Sequence, residues 1–320
     1  MSVFLIGALL LVVGLILISL MVEALRPAVT VPDRLTWAND IQIQYVTVNG
    51  HRLRYVKTGN GPSLVLLHTL RTQLDIFQKI IPSLSRHFTV YAPDYPGHGY
   101  SDIPSVDYEP KLFVNAVAGF LETLDIQDAT VAGISIGGTI ALLLAAQHHP
   151  RVKTVIAINP YDYAKGLGIR RSSVVAQVLF RVALVPILGE TAMRFRNRTV
   201  EAPIFNGGVA EPSAIPAQLR EEMFLVGTRP GHYQAFLSLL RHAHKWEDAH
   251  ARYNSIQGPT LVVYGQKDWS TITEREATQR DIPGATVQEV AGGGHFLSLD
   301  RPQEIEGVIT GSNASSIGHC

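Results

Sequence analysis

The sequence predicts an α/β fold: a mostly parallel central sheet covered by helices, carrying a helical cap insertion and preceded by one N-terminal transmembrane helix. Three observations predict it. Short apolar, β-rich runs alternate with helical stretches from Gln42 onward, the pattern of a parallel sheet buried on both faces. The rhythm stops between Tyr161 and Asn254, where no clear strand occurs and helical patterns dominate. Val3–Val22 is a run of twenty residues without a charge, about the length that crosses ~30 Å of hydrocarbon as a helix.

The elements follow in chain order. Residues 1–26 are expected to form a retained anchor. The alternative is a cleaved leader, with Val22-Glu23-Ala24 as a loose cleavage site, but no Lys or Arg precedes the run and it is longer than a usual signal core. Arg26 and Arg34 both follow the span, which favours a single-pass protein with a cytoplasmic body. Residues 27–41, with Pro27 and Pro32, read as a linker. The first part of the core spans 42–160. It opens with a hairpin turning at Asn49-Gly50, a strong local turn signal. Strands are expected at Ser63–His68, Phe88–Asp94, Ala129–Gly133 and Val152–Pro160. The cap occupies 161–254, with helices over Ser172–Phe195 and Tyr233–Ala251; Pro186 is expected to end or kink the first of them near Val185. The second part of the core, 255–310, adds strands at Pro259–Gly265 and Ala285–Gly292 and a short helix from Pro302 to Ile309. Residues 311–320 are expected as a flexible tail.

Composition narrows the function classes. A chain of 320 residues, 46% hydrophobic, suffices for a large core. Its formal net charge is zero, so no electrostatic footprint for nucleic acid is present. The single cysteine, Cys320, permits neither an internal disulfide nor a cysteine metal site. No His-Glu-x-x-His spacing occurs. Neither a metal nor an organic cofactor is expected.

The chemistry centres on Gly133-Ile134-Ser135-Ile136-Gly137-Gly138, where an apolar strand gives way to a helix. Flanking glycines permit a sharp turn that lifts one hydroxyl above the sheet edge. The helix then begins at the serine, with free N–H groups facing the reacting oxygen. Serine is a weak nucleophile and needs a base, which needs an orienting acid. In this architecture the chain order is Ser, Asp or Glu, His. Asp268 follows the strand "LVVYG", and His295 follows the three glycines of "VAGGGHF". Loops at the carboxyl ends of parallel strands are where such sheets place their chemistry. Asp162, after "VIAINP", is the competing acid. His148 and His149 are expected to cap a helix end, and His242, His244 and His250 to lie on a polar cap face.

From about Gln42 onward the chain resembles the α/β-hydrolase superfamily, serine-nucleophile branch with a helical cap, through "GISIGG", "YGQKDW" and "GGGHF" in family order. A fourth segment, "DYPGHGYSD" (Asp94–Asp102), is similar to a family loop and is expected to be structural. The resemblance implies oxyanion donors at the backbone N–H groups of Leu70 and Ile136. It also implies acyl chemistry, since haloalkane dehalogenases and epoxide hydrolases of similar shape carry aspartate at the elbow. One position departs from the family: Thr69 stands where glycine is expected after His68. A β-branched residue tolerates positive φ poorly, so this turn must take another shape or carry strain. Arg71 is expected to pair with Asp75 at (i, i+4), the alternative being a carboxylate-binding role in the cavity.

The cap is apolar over Val174–Leu188, and Phe180, Phe205, Phe224 and Phe236 are available to line a cavity. Arg71 and Phe180 are the expected substrate contacts. The resulting expectation is a membrane-anchored serine hydrolase cleaving a small apolar ester or lipid. A C–C bond hydrolase, lactonase, thioesterase or acyltransferase would use the same triad, and a non-catalytic ligand-binding protein would keep the fold alone. Arg181, Arg194 and Arg196, interspersed with apolar residues, suit a cap helix at a lipid surface; the competing expectation is a helix packed against Tyr233–Ala251 with its arginines solvated.

Overall fold

Asn49 and Gly50 take φ values of 51° and 81°, the two left-handed residues that a tight hairpin turn requires. They join β1 (Ile43–Val48) to β2 (His51–Thr58) in antiparallel register, Val48 opposite His51. The structure, a computed structural model, describes residues 3–317. The remaining strands are β3 (Ser63–Leu67), β4 (Thr89–Pro93), β5 (Ala129–Ile134), β6 (Val152–Ile158), β7 (Thr260–Gly265) and β8 (Thr286–Val290). They form one eight-stranded sheet in the order β1-β2-β4-β3-β5-β6-β7-β8. From β4 to β8 every pairing is parallel. The chain winds outward through β4, then crosses back over β3 to β5. The direction of winding therefore reverses between β3 and β5, the place where open α/β sheets hold ligands.

The helices are α1 (Val3–Ala24), α2 (Ile81–Leu84), α3 (Pro110–Thr123) and α4 (Ile136–Ala146), then α5 (Val174–Ala183), α6 (Leu188–Arg194), α7 (Arg198–Asn206), α8 (Ala217–Thr228), α9 (His232–Arg241) and α10 (His250–Tyr253) of the cap, and α11 (Ile272–Asp281), α12 (Leu297–Asp300) and α13 (Pro302–Ile317). The helix α4 is apolar on every side and buried from Ile136 to Leu144, as expected of a helix laid across the sheet centre.

Several expectations need correction. The stretch Ser172–Phe195 does break at Pro186, as expected, but the chain becomes helical again beyond it, so the stretch is two helices, α5 and α6, rather than one. Tyr233–Ala251 is likewise broken: α9 ends at Arg241 and a 3₁₀ segment, Ala243–Ala249, follows. The presumed linker is packed from Leu35, which is buried, and Trp37 donates its indole N–H to Asp75 (2.7 Å). α13 continues to Ile317, through residues expected as a flexible tail. Cys320 lies outside the described residues.

α1 is a single helix whose span Leu5–Ala24 has a mean hydropathy of 3.0, with 6% of it buried. It is the one helix among the described residues long and apolar enough to cross a membrane. It does not stand apart from the rest. Its last turns dock on the cap, where Glu23 accepts both Nη1 (2.7 Å) and Nη2 (3.0 Å) of Arg196.

His250 is not a solvated cap residue. Its Nδ1 lies 2.6 Å from Asp281 and its Nε2 3.8 Å from Asp162, so it ties the start of α10 to the end of α11 and to the segment that follows β6. Burial opposes its charge, but the two carboxylates outweigh burial and push its pKa up to about 9 from 6.5. The sign follows from linkage: the contact contributes fully below pH 6.5, and its contribution is lost as pH rises through about 9. Urea titrations at pH 6, 7.5 and 9.5 are expected to show a falling midpoint, and His250→Gln is expected to flatten that dependence.

Candidate active site

Ser135 is the only residue between β5 and α4. Its φ of 60° and ψ of −122° lie where a residue other than glycine is strained by about 1–3 kcal/mol. The neighbouring glycines make that turn possible. A Cβ on Gly133 would meet the Gly137 carbonyl carbon at 2.1 Å, and one on Gly137 would meet the Leu67 oxygen at 2.2 Å. The Ser135 N–H donates to Ile158 of β6 (2.9 Å), which pins the elbow to the next strand. Its Oγ is buried and has no hydrogen-bond partner among the described residues.

Asp268 and His295 meet. The Asp268 Oδ1 lies 2.5 Å from His295 Nδ1, with both side chains fully buried. The other carboxylate oxygen accepts the Ser270 N–H (2.9 Å) and hydroxyl (2.5 Å). Burial works to raise the Asp268 pKa, but His295 and Ser270 outweigh it and hold the carboxyl below its ordinary 3.8. An ionised Asp268 only accepts hydrogen bonds, so Nδ1 of His295 carries a proton, and in the neutral ring Nε2 keeps its lone pair. That Nε2 has no partner among the described residues. Ser135 and His295 are not hydrogen-bonded to each other. Tyr161 bridges the two: its N–H donates to the Ser135 carbonyl (3.2 Å), and its ring centre lies 6.2 Å from that of His295. Catalytic contacts of this type are often long before substrate binds.

Asp162 does not reach His295. It accepts the Tyr253 hydroxyl (2.8 Å) and the Thr278 hydroxyl (3.3 Å), and faces His250.

In the turn after β3 the positive φ does not fall on Thr69; Arg71 adopts it instead, at 58°. Buried His68 braces the turn. Burial lowers its pKa to about 3, so it stays neutral. Its Nδ1–H donates to Thr69 (2.8 Å) and its Nε2 accepts the Tyr95 N–H (3.3 Å). Ile136 is the first residue of α4, and Leu70 lies in the braced turn; no main-chain acceptor takes either N–H among the described residues.

Arg71 does not pair with Asp75. Asp75 is held by Arg54 (2.7 Å), while Arg71 binds Glu201 of α7 at 2.5 Å. Burial dominates both partners: it lowers the Arg71 pKa and raises that of Glu201, against their mutual attraction. The pair lines a cavity of ≈ 230 Å³ together with Phe180, Phe205 and Phe236 of the cap. Phe180 packs edge-on against Phe236, with ring centres 5.9 Å apart. Thr69, Leu70, Trp269 and Phe296 also line the cavity. Ser135 and His295 are not themselves on the wall. Among the described residues, no group of three or more His, Cys, Asp or Glu is placed to hold a metal ion.

With the geometry in place, comparison with known proteins decides the family. Residues 64–308 match the alpha/beta hydrolase family. The chain belongs to it. Among curated relatives, a pimeloyl-acyl-carrier-protein methyl ester esterase of Nitrosomonas europaea is 28% identical over 260 residues, covering 77% of this chain and 94% of the relative. Haloalkane dehalogenase 2 of Mycobacterium tuberculosis is 27% identical over 267 residues, covering 81% and 90%. The crystal structure of Cfl2 from Burkholderia cenocepacia superposes with a TM-score of 0.75 at 22% identity, covering 87% of this chain and 97% of that one. The last likeness is one of fold.

In this alpha/beta hydrolase two positioning residues escaped the sequence reading. Asn159, at the end of β6, donates to the carbonyls of Gly294 (3.1 Å) and His295 (3.0 Å) and accepts the Gly265 N–H (2.8 Å), joining the acid loop to the histidine loop. The Trp269 indole stacks on His295 at 3.8 Å and 13°, and donates to Gly207 of the cap (2.7 Å). Asn159 directly follows β6 and Trp269 lies four residues beyond β7, beside Asp268, which was the available signal, but neither carries reactive chemistry of its own.

Proposed function

We propose that this alpha/beta hydrolase cleaves apolar carboxylic esters through an acyl-enzyme on Ser135, and that α1 anchors it in a membrane. The observation that carries the catalytic reading is the buried Asp268–His295 pair together with the elbow serine: neither His295 Nε2 nor Ser135 Oγ has a partner among the described residues. His295 Nε2 takes the proton as Ser135 Oγ attacks the ester carbonyl. The developing oxyanion is met by the N–H groups of Leu70 and Ile136, each such donor worth about 3 kcal/mol in the barrier. His295 then protonates the departing alkoxide and the alcohol leaves. Water, deprotonated by the same Nε2, attacks the acyl-enzyme and releases the acid and free Ser135.

The similarity to a dehalogenase does not carry over. Displacement of halide by a serine oxygen would leave an ether, which has no carbonyl for water to attack. Only a carboxylate nucleophile makes the ester that such a cycle must hydrolyse. Serine at the elbow therefore favours acyl transfer.

The cavity, walled by the cap phenylalanines Phe180, Phe195, Phe205 and Phe236, favours apolar acyl groups. Two added methylenes are worth about 1.6 kcal/mol when buried, so p-nitrophenyl butyrate is expected to exceed the acetate about 10-fold in kcat/KM. A flat or falling profile from acetate to octanoate would remove the apolar-ester assignment.

A further inference from the structure

We propose that the outward face of the cap helices α5 and α6 rests on the membrane that α1 enters, so that apolar substrate passes from lipid into the cavity. This rests on the esterase reading and on α1 as an anchor. Helix α5 has two faces. Ala176, Phe180 and Ala183 point inward and are buried, and Phe180 forms cavity wall. On the other side Val174 is 77% and Val178 56% exposed, and the apolar surface continues through Val185, Ile187 and Leu188 at the start of α6. Single exposed apolar side chains need no explanation, but a patch concentrated beside a pocket does.

Its occupant is indicated by α1. That helix packs against α6, and the contact lies in its last turns. Ser19 is buried there and is met by Arg194 (3.4 Å), Glu23 holds Arg196, and Arg26 donates to the carbonyl of Arg194 (2.6 Å). The remaining residues 3–18 span roughly 24 Å at 1.5 Å per residue, most of the ~30 Å of a hydrocarbon core. The charged contact thus marks the level at which the helix leaves the lipid. Helix α6, and α5 packed against it, lie at that level. Arg181 is exposed on α5, where a cation suits the headgroup region. Arg194 and Arg196 do not play that part, being engaged by Tyr233 and Glu23. The wall that α5 and α6 contribute to the cavity, through Leu179, Phe180 and Met193, is therefore only one helix thickness from the lipid.

The test uses the full-length chain in phosphatidylcholine–phosphatidylglycerol vesicles. In a Cys320→Ser background, a bimane label on Val178→Cys is compared with one on Gln127→Cys, an exposed site just before β5 at the opposite end of the sheet. With nitroxide lipids labelled near the headgroup, the Val178 label is expected to be quenched several-fold more strongly. Equal quenching overturns the proposal. A label shielded from water yet untouched by lipid nitroxide assigns the face to a second copy of the chain and also overturns it. In parallel, Val178→Asp with Ile187→Asp is expected to slow hydrolysis of a vesicle-embedded long-chain ester ~10-fold while a water-soluble ester is cleaved within about 2-fold of wild type. Equal loss on both esters assigns these residues to packing alone. If wild type cleaves neither ester while the quenching contrast holds, the esterase reading fails and the membrane contact stands.

Discussion

Replacing Ser135 by alanine is expected to lower kcat on esters by about 10⁴-fold or more while leaving the fold intact. Both halves follow from the elbow. The Ser135 Oγ makes no hydrogen bond among the described residues, so its removal strands no buried partner. Alanine at φ 60° is no more strained than serine, and the backbone bond to Ile158 is kept. Melting temperature and circular dichroism are therefore expected to match wild type. His295→Ala is expected to lose about as much, and the double variant little more than either alone, because residues that act as one unit are not additive. A Ser135→Ala protein retaining a tenth of wild-type activity would place the nucleophile elsewhere.

The largest expected stability effect lies outside the triad, at Asp94. Its side chain is fully buried and receives Arg54 Nε (2.5 Å), the Leu74 N–H (2.8 Å) and the Tyr100 N–H (3.1 Å). Arg54 is equally buried, and its Nη1 already has no partner among the described residues. Asp94→Ala leaves that guanidinium with Asp75 alone and two backbone donors unpaired. Breaking a buried ion pair from one side costs about 3–5 kcal/mol, a large share of the 5–15 kcal/mol that stabilises a typical domain. A drop of roughly 10 °C in melting temperature is expected. Leu74 and Asp75 follow the turn that carries Leu70, so the same change is expected to loosen the oxyanion turn. A shift under 2 °C would mean that Asp94 is not holding these loops together.

What could be read in the sequence was what local chemistry dictates. The elbow, the acid loop and the histidine loop each follow a strand and are punctuated by glycine, so Ser135, Asp268 and His295 could be singled out without knowing what they touch. The hairpin at Asn49-Gly50 and the break at Pro186 were legible for the same reason: a single residue's allowed backbone conformation decides them. Partners across long separations were not. Helical spacing, visible in a sequence, offers Asp75, four residues on, as the partner of Arg71; its actual partner Glu201 is 130 positions away. The docking of α1 rests on Glu23 and Arg196, 173 positions apart, and nothing in either neighbourhood announces the other. Asn159 and Trp269 act by holding loops and rings, a role fixed only when β6, β7 and the cap converge. The extension of α13 to Ile317 runs through Gly311, Ser312 and Asn313, weak helix formers by propensity, and so contradicted the local signal directly.

The central claim is that Ser135 is an activated nucleophile. Incubating the full-length protein with a fluorophosphonate and mapping the adduct by peptide mass spectrometry tests it most directly. One adduct per chain is expected, on the peptide containing Ser135, absent in Ser135→Ala and formed far more slowly in His295→Ala. No adduct on the folded wild-type protein, or an adduct on a different serine, would contradict it.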